Sequence, residues 1–89
     1  MAQVKVKKEV DRLVEELKQI RDELKVRVHL AKADAKTEWA QLEKKWEHLR
    51  SRAEQVGDVA EDAAEDVGEA VAKVGKELKK GYERVRGML

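Results

Sequence analysis

Eighty-nine residues suffice for one small domain, and with 42% apolar residues, eleven of them alanine, the core available to it is thin. Twenty basic and nineteen acidic side chains leave a formal net charge of +1, a balance that argues against a global tether to nucleic acid or membrane. With no cysteine the chain carries no disulfide framework, thiol nucleophile or thiolate metal site.

The first residues, Met1 to Val10, include Lys5, Lys7 and Lys8 with no apolar run behind them, which is unlike a signal peptide. Nowhere do about eighteen apolar residues run together, so no membrane span is expected and a cytoplasmic location is the default expectation. From Val10 to Leu89 apolar residues recur three or four apart with no proline to interrupt them, at a mean spacing of about 3.6, one per helical turn. The expected fold class is all-α, a single domain over 1–89.

The first predicted element covers residues 4–56 and contains no glycine before its end. Gaps of three and four alternate from Val10 to Leu24 and again from Trp39 to Ala60, in the manner of a coiled coil. Between these stretches the ladder thins to Val28, Ala31 and Ala35 with consecutive gaps of four, a stutter that unwinds a supercoil. Asp34 would cap a restarted helix if the chain bends there.

At Gly57 the composition changes, because all five glycines fall at or after that position. Gly57 reads as a C-terminal glycine cap, and Asp58 with Glu61 as a capping-box-like restart. The ladder nevertheless passes Val56, Ala60 and Ala63 in phase, as a continuous helix would have it. The second predicted element, residues 58–87, spaces its apolar residues as 4, 3, 4 through Val67, Val71, Val74, Leu78, Tyr82 and Val85, an eleven-residue period. Its charges are polarised: residues 58–69 hold six acids and no base, while residues 70–89 hold six bases against Glu77 and Glu83. Two such helices laid antiparallel would match acid to base. The expected architecture is a helical hairpin of long amphipathic helices turning near Gly57–Asp58, packed as a coiled coil or antiparallel bundle. A single long helix, or a three-helix bundle with a second bend near Asp34, are the alternatives.

The inventory for catalysis is poor. There is one serine, Ser51, and one threonine, Thr37; His48 stands three residues before Ser51 on a helix with no loop to bury the pair. Helical metal spacings are absent, since Val26 precedes His29 by three and Lys45 precedes His48 by three. A non-enzymatic protein is expected, with no catalytic, cofactor or metal residue. Trp39 and Trp46, seven apart and in line with Leu42 and Leu49, read first as the widest layer of a bundle and second as a ligand patch.

An apolar stripe one residue wide cannot be buried against itself within one helix, so a homo-oligomer, dimer or tetramer, is expected. Its self-association core would be Leu13, Leu17, Ile20, Leu24, Trp39, Leu42, Trp46, Leu49 and Val56. Near the C-terminus Lys73, Lys76, Lys79, Lys80, Arg84 and Arg86 flank the apolar ladder. They form a candidate surface for an anionic membrane or a protein partner. A single aromatic there is little for base stacking, which argues against nucleic acid.

Residues 22–56, DELKVRVHLAKADAKTEWAQLEKKWEHLRSRAEQV, resemble a group of short, uncharacterised bacterial coiled-coil proteins, some of whose relatives are described as stress-response proteins. The likeness rests on Leu30 to Lys36, on Trp39, on Leu42 to Trp46 and on a glycine-interrupted amphipathic tail. It implies a helical, non-enzymatic protein of the bacterial cytoplasm and transfers no binding or catalytic residue.

Overall fold

A computed structural model describes residues 2–59 and 61–89, with side chains from Val6 to Val59 and from Ala63 to Leu89. Three helices pack against one another: α1 (Ala2–Val28), α2 (Ala33–Gln55) and α3 (Glu61–Met88), with no strand among the described residues. A helix of 28 residues rises about 42 Å, and the body is 46 Å long by 17 by 16 Å. The all-α class holds. Of the arrangements left open by the sequence, the three-helix one forms, and the hairpin with an uninterrupted helix over 4–56 does not, because the chain turns at residues 29–32 as well as near Gly57–Asp58.

The first turn contains neither glycine nor proline. The end of α1 tightens as Leu30 and Ala31 donate their amides to the Arg27 and Val28 carbonyls, three residues back. Lys32 then adopts an extended conformation (φ −69°, ψ 162°) from which α2 starts. Lys25 and Arg27 lie in the last turn of α1 and Asp34 in the first turn of α2, each on the side favoured by the helix dipole. Asp34 is therefore not the cap; the N-cap is Lys32, whose side chain makes no capping bond.

The second turn also departs from its expected chemistry. Asp58 donates its amide to Gln55 and Val56 is fully buried, yet Gly57 does not adopt a positive φ, so no left-handed glycine cap forms. Helix α3 begins at Glu61, which leaves Asp58 outside it and excludes the capping box; Ala60, the boundary residue, lies outside the described residues.

Ion pairs give the direction of each helix. Lys79 meets Glu16 and, seven residues on, Arg86 meets Glu23, so α1 and α3 are parallel. Arg84 meets Glu38 while Glu77 meets Lys45, so α2 runs antiparallel to α3. The core repeats every seven residues in all three helices: Val10, Leu17 and Leu24; Ala35, Leu42, Leu49 and Val56; Ala64, Val71, Leu78 and Val85. The apolar positions read for the C-terminal element from Val67 to Val85 all face the core, but Ala63, also read as inward, does not. Ala63 is exposed and Ala64 is buried, so the pattern shifts by one residue across the turn.

Three glycines of α3 face its neighbours. A Cβ on Gly68 would stand 2.7 Å from Val6, one on Gly75 2.8 Å from Leu13, and one on Gly81 would run into Leu42. Helix α3 thus lies close against both α1 and α2 because these positions carry no side chain.

Candidate interaction surface

The nine residues assigned to a self-association core face one another inside a single chain. Leu17, Leu24, Leu42, Trp46, Leu49 and Val56 are buried, Trp39 is nearly so, and Leu13 and Ile20 are half-buried against them. The folding of one stripe onto the other two supplies the burial that the sequence assigned to a second chain.

Trp39 and Trp46 are core residues. The Trp39 ring packs against Tyr82 at 5.6 Å between centroids, tilted by 35°. Above Trp46 sits the Arg21 guanidinium, 5.5 Å from the ring centre. The same guanidinium donates from Nε and Nη2 to the two Glu43 carboxylate oxygens, 2.7 Å each, tying α1 to α2. The Glu43 hydrogen bond raises the Arg21 pKa above its usual value. Tyr82 is fully buried and its hydroxyl has no hydrogen-bond partner among the described residues. Burial, then the Glu43 charge, pushes its pKa well above 10.0, with Arg21 acting in opposition.

No arrangement for catalysis emerges among the described residues. His29, His48 and Ser51 are all exposed, and no cluster of three or more metal-ligating side chains is present among them. No helix among the described residues is long and apolar enough to cross a membrane.

All six basic candidates of α3 are exposed. Lys79, Arg84 and Arg86 pair with Glu16, Glu38 and Glu23 across the helix boundaries at 3.6, 2.9 and 3.9 Å, whereas Lys73, Lys76 and Lys80 have no ion pair among the described residues. These partners belong to α1 and α2, so the pairs are not the matching of residues 58–69 with 70–89 between two such helices that the sequence suggests. The apolar side of α3, with Val71, Leu78, Tyr82 and Val85, is turned into the core and offers nothing to an external surface while the bundle is closed.

What remains uncovered lies elsewhere. Val26, Leu30 and Met88 are the large apolar side chains left exposed among the described residues, at 73, 89 and 46%. Leu30 and Met88 line a cleft at one end of the bundle, between the α1–α2 turn and the end of α3, with Arg27 and Lys32 beside them. At the other end, between the first halves of α1 and α3, a groove of about 300 Å³ is lined by Val6, Val10, Leu13 and Gly68. Glu9, Glu65 and Glu69 stand on its rim. Neither feature was picked out in the sequence. The available signal was that Val26, Leu30 and Met88 are apolar residues out of phase with the ladder.

Comparison of the chain with protein-family models, with curated proteins and with solved structures gives no match.

Proposed function

We propose that the protein is a non-catalytic structural or interaction protein that acts through self-association. The observation that carries this reading is the exposure of Leu30 at 89% beside Met88 in a cleft at the bundle end, while the rest of the heptad core is closed. Leu30 and Met88 together give that end an apolar spot flanked by Arg27 and Lys32, which docking would cover. The ladder residues are occupied inside the chain, so self-association uses the outer surface of a folded bundle. Resemblance of residues 22–56 to short coiled-coil proteins fits a role without turnover. The test is solution mass by light scattering from low micromolar to millimolar protein. Mass rising with concentration supports the reading; a constant monomer mass removes it.

A second reading takes the same end as a contact for an anionic membrane surface, favoured by Arg27 and Lys32 beside Leu30. A stress-related role, the description carried by some of the proteins that residues 22–56 resemble, belongs with it. Here co-sedimentation with vesicles containing phosphatidylglycerol, absent with neutral vesicles and lost in Leu30→Asp, is the expected result.

A further inference from the structure

We infer that the chain associates head to tail: the apolar, basic end of one copy enters the apolar, acid-rimmed groove at the opposite end of a second copy. The inference rests on the proposed self-association and adds its geometry.

The two surfaces are complementary in three respects. In shape, Leu30 projects from the α1–α2 turn beside the cleft that Met88 lines, while the groove between α1 and α3 is open to solvent. In polarity, both have apolar centres: Leu30 and Met88 on one, Val6, Val10 and Leu13 on the other. In charge, Arg27 and Lys32 flank the projecting end, and Glu9, Glu65 and Glu69 surround the recess.

Charge polarity within the chain supports the direction of docking. Glu65, Asp66 and Glu69 are exposed in the first half of α3, and Arg27 and Lys32 flank the α1–α2 turn. Because α1 and α3 are parallel, the start of α3 and that turn stand at opposite ends of the 46 Å body. A copy turned end for end would bring like charges together. With the bodies stacked end on end, a contact that joins two different patches does not close on itself in two copies, so the product is an open chain or a larger ring. The contact is small, which places it among weak and salt-sensitive associations.

The experiment uses three full-length proteins: the wild type, Leu30→Asp and Glu65→Lys/Glu69→Lys. All the changed side chains are exposed, and circular dichroism checks that each variant stays helical. The expected wild-type result in sedimentation velocity is mass that increases with concentration past the dimer and falls at high salt. Each variant alone should associate at least about tenfold more weakly, a loss of about 1.4 kcal/mol. Mixed one to one, the variants retain one good groove and one good end between them and should stop at a heterodimer. If the wild type associates but closes as a dimer, or if Leu30→Asp associates as well as wild type, the head-to-tail geometry is wrong while self-association stands. If the wild type stays monomeric throughout, both fail; Leu30-dependent binding to phosphatidylglycerol vesicles in that case makes the exposed end a membrane contact.

Discussion

Arg21 and Glu43 face each other across α1 and α2 in a two-bond fork, with both contacts at 2.7 Å and both side chains largely covered, and the same guanidinium rests over the Trp46 ring. One cation thus makes a hydrogen-bonded ion pair and an aromatic contact at once. Lysine can supply the charge but not the planar fork. Arg21→Lys is expected to destabilise the bundle by about 1 kcal/mol, between the values typical of exposed pairs and of charged hydrogen bonds. A double-mutant cycle with Glu43→Gln, read by urea denaturation, should return a coupling of similar size; additive losses would show that the fork contributes little.

Tyr82 is the chain's one tyrosine, so its ionisation can be followed directly by absorbance near 295 nm. Its buried phenol holds its proton above the ordinary value of 10.0. The folded state therefore binds that proton more tightly than the unfolded state does. This contribution is fully present below pH 10.0 and is lost as pH rises above it toward the folded-state value. Folded protein at pH 10 to 11 should show little phenolate, and phenolate should appear together with loss of helix. Ionisation at pH 10 with the helices intact would contradict the burial.

Removing the same hydroxyl takes away a buried polar group that has no partner among the described residues. Tyr82→Phe should therefore be neutral or stabilising, by up to about 1 kcal/mol, since no hydrogen bond is lost and the ring contact with Trp39 stays. A clear loss in thermal unfolding would indicate that the hydroxyl has a partner in solution.

The glycines divide into two kinds with opposite expected responses to alanine. At Gly57 and Gly87 an added Cβ meets nothing within 4 Å, and neither has a positive φ, so alanine should stabilise by about 0.5 to 1 kcal/mol. At Gly81 the new methyl would collide with Leu42, itself fully packed, and the expected cost is about 1 to 3 kcal/mol. Urea midpoints of the three variants, compared at equal slope, decide this.

Trp46 fills the core at the level where Arg21 covers it. Trp46→Ala should cost about 3 to 5 kcal/mol of folding stability. A change below about 0.5 kcal/mol would refute its place in the core.

The helical class and the inward direction of Leu17, Leu24, Leu42, Trp46 and Leu49 were legible because spacing alone sets which residues share a helix face. The turn near Gly57 was legible from composition, but its chemistry was not: Gly57 is not left-handed and Asp58 caps nothing. The turn at residues 29–32 has no breaker residue, and only the thinning of the ladder hinted at it. In α3 the ladder from Val67 to Val85 was legible, but Ala64 was not, nor were buried Gly75 and Gly81, which contribute to the core by lacking a side chain that an apolar count could register. The exposed end escaped notice for a related reason. A ladder locates what faces inward, and Leu30 acquires meaning only once the fold leaves it outside.

The parallel course of α1 and α3 also has a mechanical consequence. The start of α1 and the end of α3 emerge at opposite poles of a body 46 Å long. A load applied between those two points acts along the helix axes, so that heptad layers must slide past one another together, and no helix can peel away one turn at a time. Under tension the bundle works as a short rigid strut, gripped where Gly75 and Gly81 bring α3 close to its neighbours.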